Sequence, residues 1–233
     1  MVKTFRHSGK IGDVIFSLPT IREMGGGILY LPSKAPESTG LYENMRSLLL
    51  QQPFIQDVKE YPSGYSYEHL APDPHIDIDL DQHRTHPLRG RVNMVKRYFE
   101  VFGIDADWKQ PWLTVEGEPP ISGEYSLINL TPRFRDHSTI DWRRVYNAIP
   151  GRKIFVGTPQ EYAHFVEKVS EIEYFETKDL LTLALTIRYS LALYCNQSCA
   201  LSLAQGLQKN YHLEKKPGKT NCLFYTPNEF ILI

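Results

Sequence analysis

His7-Ser8-Gly9-Lys10-Ile11-Gly12-Asp13-Val14-Ile15-Phe16-Ser17-Leu18-Pro19 follows a short strand-like opening, Lys3 to Arg6. It carries two glycines, a lysine and an aspartate into a run whose apolar positions include Val14, Ile15, Leu18 and Ile21. The pattern is a strand, a tight turn and a helix start. Unpaired N–H groups in a helix's first turn bind anions, and glycine permits the φ values and close contacts that such a turn needs. The residues alone leave two readings open: a plain turn with Asp13 as helix cap and Lys10 in solvent, or a ligand-binding turn. Neither G-x-G-x-x-G nor G-x-x-x-x-G-K-[ST] can be written here, so the choice depends on the rest of the chain.

Outward from this stretch the pattern alternates between strand and helix. Gly25-Gly26-Gly27 stops the first helix, Ile28 to Leu31 reads as a second strand, Leu41 to Gln51 as a helix and Ile55 to Tyr61 as a strand. After a proline- and tyrosine-rich loop, Pro62 to Pro74, the segment His75 to Asp81 alternates with period two. This predicts a strand with Ile76, Ile78 and Leu80 on one face and Asp77, Asp79 and Asp81 on the other, followed by Gln82, His83 and Arg84. Polar residues at a strand's carboxyl end in an open α/β sheet lie where ligands bind, and a solvated acidic edge is the plainer alternative. Arg91 to Phe102 predicts a helix, with Arg89, Arg91, Lys96 and Arg97 available to solvent or phosphate.

Two prolines in Glu116-Gly117-Glu118-Pro119-Pro120-Ile121-Ser122-Gly123 predict a stiff linker, and the domain boundary is placed there. Beyond it the alternation restarts: strands at Tyr125 to Leu130, Lys153 to Val156, Ile172 to Phe175 and Leu191 to Cys195, and helices at Ile140 to Ile149, Gln160 to Val169, Leu180 to Tyr189 and Cys199 to Gln208. A basic turn, Lys215-Lys216-Pro217-Gly218-Lys219, separates strands expected near Tyr211 and Leu223. The expected fold is α/β: two halves, 1–118 and 119–233, each a mainly parallel sheet with flanking helices.

The totals fit this. A chain of 233 residues with net charge -1 and 42% hydrophobic residues is globular in composition, and two domains of about 110 residues each are of ordinary size. The near-neutral balance gives no electrostatic footprint for duplex DNA. Apolar runs such as Leu180 to Leu185 are far shorter than the roughly 20 residues that span a bilayer, and the N-terminus lacks the apolar core of a signal peptide. A cytoplasmic protein is expected. Cys195, Cys199 and Cys222 are an odd number without paired spacing, which fits free thiols, and no metal-site spacing is present.

Three strand ends in the second half carry polar turns that a parallel sheet would bring to one edge. Asn129-Leu130-Thr131-Pro132-Arg133-Phe134-Arg135 offers two guanidinium groups suited to a diphosphate. Gly157-Thr158-Pro159-Gln160-Glu161 suits either a nucleoside or an ordinary helix cap. Asn196-Gln197-Ser198-Cys199 follows an apolar strand and opens a helix, which is a phosphate-binding geometry.

Together these residues resemble a known family. Gly12-Asp13-Val14-Ile15-Phe16-Ser17-Leu18-Pro19-Thr20-Ile21 is similar to the N-terminal signature of the ADP-heptose:lipopolysaccharide heptosyltransferases. The order Phe155-Val156-Gly157, a helix, Leu193-Tyr194-Cys195-Asn196-Gln197-Ser198 and Leu203-Ala204-Gln205-Gly206-Leu207 resembles that family's donor half. The resemblance implies a GT-B fold, two Rossmann-like domains facing across a cleft, with the acceptor on the N-terminal side, a nucleotide sugar on the C-terminal side and no obligatory metal or other cofactor. It implies Asp13 as the general base, Lys10 near the donor phosphates and Arg133 as a basic donor residue. With the strand-end residues, the expected donor and phosphate site is Lys10, Gly12, Arg133, Arg135, Thr158, Glu161, Asn196, Gln197 and Ser198, with His83 and Arg84 on the acceptor side. The chain departs from the family where Asn196-Gln197-Ser198 replaces an Asp-Ser/Thr-Gly and the histidine a few residues on is missing. The expected activity is inverting sugar transfer from a nucleotide-diphosphate sugar to a carbohydrate-type acceptor hydroxyl. The alternative is a nucleotide-binding protein of the same fold without catalysis, and a modified DNA base as acceptor stays open.

Overall fold

The computed structural model describes residues 1–32, 34–35, 38–39, 41–61, 73–87, 91–134 and 140–232. The first half comprises β1 (Lys3–Arg6), α1 (Ile11–Glu23), β2 (Gly27–Pro32), a small hairpin of β3 (Lys34–Ala35) and β4 (Ser38–Thr39), α2 (Leu41–Leu49), β5 (Ile55–Tyr61), β6 (Ile78–Asp79), a 3-10 turn (Leu80–Thr85) and α3 (Met94–Phe102). Its sheet is parallel throughout, in the order β5-β2-β1-β6.

The second half comprises β7 (Ser126–Asn129), a 3-10 turn (Pro132–Phe134), α4 (Trp142–Ala148), β8 (Lys153–Phe155), α5 (Pro159–Lys168), β9 (Glu173–Tyr174), α6 (Leu180–Tyr189), β10 (Leu193–Asn196), α7 (Cys199–Gly206), β11 (Tyr211–Glu214) and β12 (Glu229–Leu232). These strands form a second parallel sheet, β12-β11-β10-β7-β8-β9. Parallel neighbours need crossover connections, which the helices supply. The α/β alternation expected of both halves is present. No helix among the described residues is long and apolar enough to cross a membrane.

Helix α1 ends where expected, because Gly25 and Gly26 take φ of +93° and +74°, and a Cβ on Gly26 would lie 2.3 Å from the Phe54 carbonyl. Two strand expectations are corrected. The alternating run at 75–81 yields only β6, since the Asp79 carboxylate accepts the Asp81 N–H at 3.0 Å and starts a 3-10 turn. β6 is the edge strand, as the plainer reading had it, but its acidic residues are engaged: exposed Asp77 bonds Thr4, Asp79 pairs with Arg6 at 2.7 Å and buried Asp81 bonds Ser8. No strand runs through Leu223. Residues 220–224 cross instead to the first half, where Met94 N–H donates to the Asn221 carbonyl and Asn93 Nδ2 donates to that of Leu223. Phe224 packs there against Phe16, Trp108 and Trp112.

All eight residues from Val14 to Ile21 are buried. A helix buried all round has partners on every side. One face of α1 lies with its own sheet and α3, and the other packs on α7 of the second half, while α2 packs on α6. A single apolar cluster therefore includes Ile15 and Leu18, Ala200 and Leu203, and Leu183 and Ile187. A second cluster around Phe155 and Phe165 lies under α4 and α5. The linker is docked too: Tyr189 Oη donates to the Gly117 carbonyl, and Gln51 and Gln52 bond the backbone of Glu116 and Thr114.

Candidate active site

The carboxyl ends of both parallel sheets face one cavity of about 770 Å³. It is lined by turns that follow strands β1, β6, β7, β8, β9, β10 and β11. That edge is where open α/β sheets bind ligands. The cavity brings together Lys10, Gly12, Asp13, His83, Arg84, Arg133, Thr158, Glu161, Gln197 and Ser198, ten of the residues singled out above. Asn196 is not among its lining residues, and Arg135 lies outside the described residues, as does most of the loop Pro62 to Pro74.

From the first half come Lys10 and Asp13. Lys10 is the N-cap of α1 without a side-chain capping bond, and Asp13 lies in the first helical turn. The Asp13 side chain keeps 30% of its exposure and its Oδ2 is 3.4 Å from Arg84 Nη2. Among the described residues, Asp13 makes no capping bond through its side chain.

Behind Asp13 is a buried polar network. Gly9 N–H donates to His7 Nδ1 at 2.8 Å, which leaves the proton on Nε2 to donate to Tyr98 Oη at 2.7 Å. Tyr98 in turn donates to the Asp13 carbonyl. Burial lowers the His7 pKa and, with His7 beside it, takes His83 down to about 2, so both rings are neutral. His83 packs at a tilt against Tyr98 with centroids 4.3 Å apart and bonds the Leu80 carbonyl through Nδ1. It lines the cavity as a neutral ring. Burial works against the Asp81 carboxylate, but two bonds from Ser8 and the Arg84 guanidinium outweigh it and hold it well below the usual range. His7, Asp81 and His83 offer metal-ligand atoms within 4.8 Å of one another, yet both His7 nitrogens and both Asp81 oxygens already have partners in the protein.

From the second half, the Asn196 amide bonds both the N–H and the carbonyl of Thr131, which ties the ends of β10 and β7 together. Its expected contact with phosphate is corrected on that ground: the side chain is fully buried and engaged with backbone. Ser198, the N-cap of α7, donates its hydroxyl to Asn129 Oδ1 at 2.6 Å. Thr158 and Glu161 form a reciprocal capping box on α5, so the plainer reading of that turn describes their hydrogen bonds even though both line the cavity. Cys199 opens α7 on the cavity wall with burial pushing its thiol up to about 11, a neutral group.

Several lining residues had no assigned site role in the sequence. Arg97, open in the sequence to solvent or phosphate, is 3% exposed and lines the cavity. Lys216 and Lys219 reach the cavity from the basic turn after β11, whose run of lysines was the available signal. Tyr174, stacked on Tyr162 at 4.5 Å and donating to the Gly157 carbonyl, joins from the short β9. Among the described residues the lining offers six cationic side chains, Lys10, Arg84, Arg97, Arg133, Lys216 and Lys219, against four carboxylates, Asp13, Glu161, Glu176 and Asp179. This balance suits a multiply charged anion.

Neither protein-family models nor curated proteins give a match in sequence. Solved structures do match in fold. A glycosyl transferase family 9 protein from Veillonella parvula DSM 2008 superposes with a TM-score of 0.65 over 98% of this chain and 84% of its own, at 11% identity. The E. coli heptosyltransferase WaaC, solved with ADP-2-deoxy-2-fluoro heptose, gives 0.62 over 100% and 93%, at 14% identity. E. coli ADP-heptose lps heptosyltransferase II gives 0.65 over 100% and 90%, at 13%. The chain shares the two-sheet GT-B architecture of these proteins across nearly its whole length.

Proposed function

We propose that this chain is a glycosyltransferase that moves a sugar from a nucleotide-diphosphate sugar to an acceptor hydroxyl, inverting the anomeric centre without a metal. The acceptor side is assigned to residues 1–118 and the donor side to 119–233. The observation that carries this reading is the convergence of Asp13, from one sheet, and Arg133, Ser198 and the start of α7, from the other, on a single cavity. The solved neighbours that work on ADP-heptose support it through their shared fold.

In the proposed reaction Asp13 takes the proton of the acceptor hydroxyl as its oxygen bonds to the anomeric carbon. The bond from that carbon to the diphosphate oxygen breaks, and the electron pair leaves with the nucleoside diphosphate. Lys10, Arg133 and the N–H groups at the start of α7 stabilise the developing charge. Gln197 and Ser198 border the diphosphate, and Tyr174, Thr158 and Glu161 border the nucleoside.

The test is incubation with ADP-, UDP- and GDP-sugars and a panel of sugar and modified-base acceptors, with the product's anomeric configuration read by proton NMR. Turnover of one donor with inversion, unaffected by EDTA, is expected. Retention of configuration or a metal requirement would contradict the mechanism. One observation favours a second reading, a nucleotide-binding protein without catalysis: the end of β10 presents Asn196, engaged with backbone, and no carboxylate. Tight nucleotide binding with no transfer across the panel would establish it.

A further inference from the structure

Asp81 is fully buried at the start of the 3-10 turn that follows β6. Its Oδ2 accepts the Ser8 N–H at 2.8 Å and the Ser8 hydroxyl at 2.6 Å, which fixes the carboxylate to the end of β1. Its Oδ1 accepts Arg84 Nε–H at 2.9 Å. In a 3-10 turn residues three apart eclipse, so the turn places Asp81 and Arg84 on one edge. The far end of the guanidinium then lies 3.4 Å from Asp13 Oδ2. The path is open only because residue 9 is glycine: a Cβ there would sit 2.5 Å from Arg84 Nη2 and 2.3 Å from His7 Cε1.

Resting on the glycosyl-transfer reading, we infer that Asp81 and Arg84 are positioning residues that hold the Asp13 carboxylate in place for the reaction. Asp13 is partly exposed at a helix start, and a general base works only within hydrogen-bond reach of its proton. Among the described residues, Arg84 is the one at its carboxylate, and Arg84 is itself fixed by a fully buried partner. One planar guanidinium holds both carboxylates through different nitrogens, which the single ammonium of lysine cannot do. This assignment replaces the expectation that Arg84 contacts the acceptor.

The two roles separate in kinetics. For Arg84→Gln we expect kcat to fall by about 10- to 100-fold, the usual loss when a supporting partner of a functional group is removed, with acceptor KM within about threefold of wild type. Arg84→Lys should recover little, and added guanidinium should partly restore Arg84→Ala. A loss confined to acceptor KM, or a kcat within about twofold of wild type in folded Arg84→Gln, would overturn the assignment. Nitrogen-15 NMR of the arginine side chains gives a readout that needs no turnover. The Arg84 Nε–H signal should shift in Asp13→Asn and lose its protection in Asp81→Asn, and an unchanged signal in both would overturn the coupling. If wild-type protein turns over no nucleotide sugar while these signals respond, the functional reading fails and the coupling of Asp81, Arg84 and Asp13 stands.

Discussion

Gly9 and Gly12 look alike in sequence and have opposite requirements in the fold. A Cβ on Gly9 would collide with His7 and Arg84, whereas one on Gly12 would meet nothing nearer than Ser202 Oγ at 3.7 Å. Gly9 makes room within its own half, and Gly12 stands at ordinary contact distance from α7. Gly9→Ala should lower the unfolding free energy by about 1–3 kcal/mol, and Gly12→Ala should raise it by about 0.5–1 kcal/mol, since it removes a helical glycine. Urea titrations of both variants measure the contrast. Buried His7 and His83 make a second expectation. Both rings are neutral in the fold and take up protons near 6.5 when unfolded, so below about pH 6.5 the unfolded chain binds more protons. Stability should then fall with falling pH by up to about 1.4 kcal/mol per pH unit for each ring. Asp81, held below its usual range, adds to the loss once the pH falls under about 4. Equal urea midpoints at pH 7.5 and 5.5 would refute this. That Asp13, Arg133 and Ser198 stand at strand ends and line one cavity was legible from the turns they occupy. The partners of Asp77, Asp79 and Asp81 were not, because they depend on the register that sets Phe5 beside Ile78 and Arg6 beside Asp79, a pairing across more than 70 residues.

At the scale of elements, local signals were the readable ones. The strand Ile55–Tyr61 and the helix Leu180–Tyr189 lie where the pattern placed them, because apolar spacing and turn residues mark their ends. The failures are non-local. The alternation at 75–81 reads as a strand, but the Asp79 side chain ends it as a 3-10 turn, and the apolar residues near Leu223 read as a strand although they plug the other half. Asn93 shows how one residue joins the two levels. Its Oδ1 caps α3 by accepting the Val95 N–H at 2.8 Å, and its Nδ2 holds the Leu223 carbonyl at 2.8 Å. Asn93→Ala should cost about 2 kcal/mol or more, since it removes both a cap and a buried bond. Thr158→Ala removes only a cap and should cost about 1 kcal/mol. Thermal unfolding of the two variants side by side tests the ranking.

For the whole molecule, two sheets were predictable from the strand–helix alternation, but the way they join was not. Ser17 and Thr20 look like the polar side of an amphipathic helix, yet both are buried, because α1 is covered on its second side by α7. One apolar cluster then runs through both halves, and residues 220–224 close over it. Heat should unfold the chain in one transition, and Phe224→Ala should lower that whole transition; two resolved calorimetric peaks would show that the halves fold separately. The same joining brings the Asp13 turn and the strand-end turns of the second half to one cavity. The most direct test of this reading is the transfer rate of Asp13→Asn, measured beside its affinity for the donor nucleotide. The account predicts a kcat lowered by roughly 10²- to 10⁴-fold with nucleotide affinity and thermal stability unchanged. A folded Asp13→Asn protein that transfers sugar at the wild-type rate would contradict it.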